Sequence, residues 1–175
     1  MGGLRGGRVA AASVGGMTSL VDQAVQALWQ EGCWATGADP SSLTAVERFG
    51  DPAAMADELH ALVLDGTKTA TAGLARDFEM GGEHLSQPGD HWVVLDGQDA
   101  PRCVLRTVQV GVRVLESVDA AFAWDEGEGD RTRGWWLDAH RRFFLRQAQR
   151  EDLPYDEHHD LVVFERFEVA LPDDA

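Results

Sequence analysis

The sequence predicts a mixed α+β domain, a small and mostly antiparallel β-barrel with flanking α-helices packed outside it. Three observations carry that expectation. Helical and strand patterns interleave along the chain, several short strands crowd its middle and end, and 175 residues suffice for one buried core without disulfides. Residues 1–17 are rich in Gly and Ala without periodicity and are expected to be a flexible extension, leaving 18–172 as a single domain.

Each element has its own reason. Leu20, Val21, Ala24, Val25 and Leu28 recur at helical spacing and give a helix to about Gly32. Residues 33–43, with Gly37, Pro40 and Ser41, break that pattern and read as a loop. Asp51 and Pro52 suit the first turn of a second helix, whose apolar side holds Met55, Leu59, Leu62 and Val63 and which Gly66 stops. Thr67 to Thr71 then reads as a loop entering a strand, and 77–89 as a long polar loop. His91–Leu95 is a short strand. Pro101–Val114 alternates in part and reads as two strands with a bend near Gly111. A short helix over 120–124, an acidic loop over 126–130, a helix over 132–149 and a strand over 161–169 complete the chain.

Thirty acidic against fifteen basic side chains give a formal net charge of −15. That field repels polyanions, so duplex DNA and anionic membrane surfaces are excluded as partners. A pocket can still accept a small nucleoside or a short single-stranded RNA. No apolar run is long enough to span a membrane. Cys33 and Cys103 lie far apart with no second pair, which fits a reduced, cytoplasmic protein. Fourteen of the fifteen bases are Arg, and Lys68 is the sole lysine. Arg stays protonated in proteins, whereas a lysine amine shifts its pKa and can exchange a proton. A lysine retained where Arg serves everywhere else points to a need for an amine.

Three groups of residues can carry chemistry. Lys68 and Thr71 allow an amine to take the proton of a threonine hydroxyl, provided the chain turns between them, since regular strand alternation would point them to opposite faces. The same residues also suit the start of a strand with exposed threonines and a solvated amine. Glu126, Glu128 and Asp130 are spaced by glycines, and one carboxylate beside Lys68 would orient the amine or act as an acid; a solvated loop capping the next helix explains them as well. Trp135 and Trp136, with Trp92 and Trp124, suit stacking on a base, and equally suit core packing. His158 and His159 lack further ligands at zinc spacing, so neither a metal nor another cofactor is expected.

Taken in order, these segments resemble an ASCH domain, a relative of the PUA-like RNA-binding barrels. The matching stretches are Glu47 to Asp51, Leu64 to Thr71, Pro88 to Asp90, Cys103 and Val104, Glu126 to Asp130, His140 with Phe143 and Phe144, and Val162 to Phe167. The resemblance runs from about Leu20 to Leu171 and implies a PUA-like barrel with a cleft holding the signature lysine. It implies one of two activities, deacylation of N4-acetylcytidine by an amidohydrolase or cleavage of single-stranded RNA; a non-catalytic module binding RNA or a small ligand is the third reading. Under the amidohydrolase pattern Lys68, Thr71 and Glu128 are the catalytic residues, with Glu126 the competing match for the glutamate, and Thr69, Glu126, Trp135, Trp136 and Arg76 are assigned to substrate binding. The family's arginine five positions after the lysine is replaced here by Gly73, with Arg76 nearby as its substitute. For a ribonuclease, Arg141, Arg142, Arg146 and Arg150 on the late helix offer phosphate contacts. The sequence leaves monomer and homodimer open.

Overall fold

Residues 8–9, 20–50, 53–81 and 84–171 are described by the computed structural model. The expected flexible extension over 1–17 and the Asp51-Pro52 helix start lie outside them, apart from the two-residue strand β1 (Arg8–Val9). Helix α1 (Leu20–Thr36) and strand β2 (Leu43–Arg48) are followed by α2 (Ala53–Leu64), β3 (Ala70–Leu74) and α3 (Ala75–Gly81). Then come β4 (His91–Leu95), β5 (Pro101–Val114), α4 (Ala120–Glu126), α5 (Arg133–Glu151) and β6 (Leu161–Leu171).

The strands form one sheet in the order β1-β2-β4-β5-β6-β3. Only β2 and β4 run parallel; every other pairing is antiparallel. The expected mostly antiparallel α+β architecture is therefore present, as a curled half-barrel whose edge strands β1 and β3 are not paired with each other among the described residues.

Alternation along the strands decides which helix covers which face. On β4, Val93 and Leu95 pack with Val25 and Trp29 of α1, whereas Trp92 and Val94 pack with Leu59 and Val63 of α2. All five β4 residues are buried for this reason, and both sheet faces are dry at the centre. At the far end Val162 and Phe164 of β6 meet Phe122 of α4 and Trp136 and Phe144 of α5 in a third cluster.

Three expectations need correction, and one strand was not expected at all. Residues 77–89 are not all loop: α3 continues directly from β3 and buries Phe78. Pro101–Val114 is one strand, not two, because β6 pairs along nearly its whole length and absorbs the irregularity as register shifts next to Val104 and Val108 rather than a break at Gly111. The reading of 33–43 as loop is too long, since α1 runs to Thr36 and Pro40–Ser42 forms a 3₁₀ turn. Strand β2 carries no expectation from the sequence; its burial alternates, but its partner β4 lies far along the chain.

Two glycines fix the backbone near the end of α4. Gly127 ends α4 in the left-handed region at φ 74°, and a Cβ there would lie 2.5 Å from the Thr67 carbonyl oxygen. Gly129, at φ 60°, would place a Cβ 2.1 Å from the Trp135 ring. Gly127→Ala combines a strained φ with a backbone collision and is expected to cost about 1–3 kcal/mol or more. In a chain of this size that lowers Tm by roughly 2–12 °C. Calorimetry checks it, and an unchanged Tm would show that the loop and the Thr67 segment do not touch.

Candidate functional site

The segment before β3 is pinned from three sides. Gly66, at φ 77°, closes α2 and donates to the Val63 carbonyl at 3.1 Å. The Lys68 amide donates to the Leu62 carbonyl at 2.8 Å, and the Thr69 amide to the Asp125 carbonyl at 2.7 Å. The Thr69 carbonyl accepts from Phe167 of β6 at 2.9 Å. Because Lys68 and Thr69 precede the strand, strand alternation does not govern them, and the Lys68 and Thr71 side chains line one cleft.

Lys68 is 1% exposed. Its Nζ donates to Glu126 Oε2 at 2.6 Å and to Glu128 Oε1 at 2.7 Å, with the Glu126 carbonyl at 3.4 Å. The Phe49 ring lies below the ammonium, 5.4 Å from centroid to nitrogen. Burial alone would depress the lysine's pKa, but Glu126 and Glu128 outweigh it and hold the ammonium above its ordinary value. Burial raises the Glu128 carboxyl, assisted by Glu126, against the opposing pull of Lys68. One ammonium thus faces two carboxylates.

Helix α5 supplies the next layer. His140 Nδ1 donates to the Trp136 carbonyl at 3.0 Å, its ring stacks on Trp136 at 3.6 Å, and Nε2 stands 3.6 Å from Glu126 Oε1. The cleft above the lysine encloses about 360 Å³. Across its floor the β3–β6 register sets Thr71 opposite Glu165 and Gly73 opposite Val163. On its wall Gln147 Nε2 donates to Asp77 Oδ2 at 2.9 Å and Glu151 Oε1 at 3.0 Å, which leaves the buried Oε1 as an acceptor with no hydrogen-bond partner among the described residues. Six carboxylates, those of Glu47, Asp77, Glu126, Glu128, Glu151 and Glu165, line the cleft against the one ammonium of Lys68. Such a lining repels phosphate and favours N–H donors.

The structure gathers Lys68, Thr71, Glu126 and Glu128 at one cleft and sends the other candidates elsewhere. Lys68 makes its hydrogen bonds to the two glutamates and none to Thr71. Trp136 is 1% exposed, in contact with Phe122 and Phe164, so it packs the core instead of offering a face to a ligand. Trp92 is equally buried, while Trp124 is exposed beneath the Arg131 guanidinium. Trp135 lines a neighbouring depression. Thr69 serves the backbone junction described above. Arg76 donates to the Pro154 carbonyl and lies 3.5 Å from Asp160, tying down the segment before β6 instead of reaching the cleft. Asp130 does cap α5, through Thr132, so the acidic loop divides its carboxylates between a cap and the cluster. His140, Gln147, Glu47 and Glu165 had no role assigned from the sequence, because their positions depend on the packing of α5 and on the sheet register; Glu47, His140 and Glu165 do fall in the stretches that resemble the family, and Gln147 does not. Among the described residues no three His, Cys, Asp or Glu side chains are grouped to hold a metal, and no helix is long and apolar enough to cross a membrane.

Comparison with known proteins places the fold in a family. The family model for the ASCH domain matches residues 45–170. The ASCH domain structure from Lactobacillus crispatus JV V101 is 27% identical and superposes with a TM-score of 0.73 over 85% of this chain and 95% of that one. Protein EF3133 from Enterococcus faecalis V583, assigned to the DUF984 model, is 32% identical with a TM-score of 0.74 over 84% of this chain and 88% of that one. No curated protein matches the chain.

The raised Glu128 carboxyl has a consequence for stability. The folded state holds that proton more tightly than the unfolded chain, so stability falls as pH rises from the ordinary carboxyl value of 4.5 through the raised one. Glu128→Gln removes this contribution while keeping an oxygen for the ammonium. Denaturant titrations across that window should show the variant losing less stability with rising pH than the native protein, and equal slopes would place Glu128 in an ordinary solvated setting.

Proposed function

We propose that this chain, which belongs to the ASCH domain family, is an amidohydrolase that removes an acyl group from N4-acetylcytidine-like nucleosides. The observation that carries the reading is the buried Lys68 amine held between Glu126 and Glu128 in a cleft that Thr71 also lines. The cleft volume of about 360 Å³ suits a small ligand. Its acidic lining favours an uncharged base with N–H groups over a polyanion in the same place, which weighs against a ribonuclease that would bring a phosphodiester to Lys68.

The resting ammonium has no free lone pair for Thr71, so the first event is internal. A proton moves from Nζ to Glu128 across their 2.7 Å hydrogen bond, toward a carboxyl that burial already biases to its neutral form. The neutral amine takes the Thr71 hydroxyl proton as Oγ1 attacks the acyl carbon and forms a tetrahedral adduct. Collapse breaks the bond between the acyl carbon and N4, and N4 receives the proton carried by Glu128. Water then adds to the acyl-threonine ester; its hydroxyl leaves with the acid and its other proton returns to Oγ1. Lys68 became an ammonium again when it took the Thr71 proton and Glu128 a carboxylate again when it protonated N4, so the cluster stands in its resting state before water enters and the released acid gives its own proton to solvent.

Incubation with N4-acetylcytidine should release acetate, and a short single-stranded RNA should remain whole. Lys68→Arg keeps the charge but not the exchangeable amine, and should lower acetate release by about a hundredfold or more. Thr71→Ala should do the same, with Tm recorded for both variants. Full activity in a folded Lys68→Arg protein would refute the role of the amine, and RNA fragments without acetate would favour the ribonuclease.

A further inference from the structure

A second depression of about 320 Å³ opens beside the lysine cleft, and Leu59 and Glu128 form the wall between them. Its far side belongs to α5, which contributes Trp135, Arg142 and Arg146. The two arginines are four positions apart on a helix and so stand on one face. Arg141 next to them is engaged by Glu116 and Glu157 at 2.7 Å each. The side chains of Arg142 and Arg146, in contrast, form no hydrogen bond or ion pair among the described residues, although the chain carries twice as many acids as bases. Glu58 is the one other carboxylate besides Glu128 on this lining. Trp135 is a fixed wall, packed so closely on Gly129 that no Cβ fits between them.

We infer that this second depression binds a phosphate group carried by the molecule whose base occupies the Lys68 cleft. The inference rests on the amidohydrolase reading and narrows its substrate class to acylated nucleotides. The division of labour follows from charge. The lysine cleft repels phosphate, whereas paired guanidiniums offer the parallel N–H groups that grip phosphate oxygens. The phosphate can come from a mononucleotide or from the backbone of a short RNA, and the two sources are separable.

The test measures acetate release from N4-acetylcytidine, from its 5′-monophosphate and from a short single strand containing the same residue. The native protein should prefer at least one phosphorylated substrate over the nucleoside by about tenfold to a hundredfold in kcat/KM. Preference for the monophosphate identifies a nucleotide, and preference for the strand alone identifies an RNA backbone. In the Arg142→Ala/Arg146→Ala variant, whose substituted side chains are exposed, the preference should vanish. Equal kcat/KM on all three substrates would overturn the phosphate site while leaving the amidohydrolase reading intact. If no substrate releases acetate, that reading fails, and calorimetric titration with cytidine and cytidine 5′-monophosphate decides the site without turnover. Tighter binding of the monophosphate, lost in the double variant, sustains it; equal binding of the two overturns it.

Discussion

The site depends on one buried ammonium shared by two carboxylates. Taking Lys68 out of water is costly, and the cost is offset chiefly by hydrogen bonds of 2.6 and 2.7 Å to Glu126 and Glu128. Both glutamates come from the end of α4, 58 and 60 residues beyond the lysine, so the ion cluster forms only when that end meets the junction of α2 and β3. The backbone is arranged for that meeting: Thr69 bonds to both the Asp125 and Phe167 backbones, and Gly127 lets the α4 terminus approach Thr67. Such a cluster is weak as a source of stability and strong as a device for fixing geometry.

From this constraint the character of the cleft follows. With the single ammonium already saturated by two glutamates, the remaining carboxylates and the Gln147 carbonyl oxygen present acceptors to whatever enters. Positive charge reappears across the Leu59–Glu128 wall, at Arg142 and Arg146. Acceptors on one side and guanidiniums on the other make a surface suited to a molecule that is polar and uncharged at one end and anionic at the other.

The sequence made much of this legible. The lone lysine stood out because Arg had displaced lysine everywhere else, and the glycine-spaced acids lay where a flexible backbone lets carboxylates converge on it. Helices α1, α2 and α5 were readable from apolar spacing, and β4 from a short apolar run. What could not be read required partners distant in the chain. Strand β2 owes its place to parallel pairing with β4, and β5 stays unbroken because β6 lies along it. Trp135 and Trp136 are adjacent in sequence, yet helical geometry turns one toward Gly129 and the other into the core beside Phe164. Arg76 is close to Lys68 in sequence, but α3 carries it away to the Pro154 segment, a turn of the chain that no local pattern announced.

Because position 68 holds the only lysine, uniform labelling of lysine side chains with ¹⁵N gives a single Nζ resonance. Following that resonance across an alkaline titration measures the central claim directly. The account predicts a slowly exchanging ammonium signal, split by its three protons, that persists above the ordinary lysine value of 10.5 and changes when Glu126 or Glu128 is replaced. A rapidly exchanging amine that titrates at or below that value, indifferent to both glutamates, would contradict it.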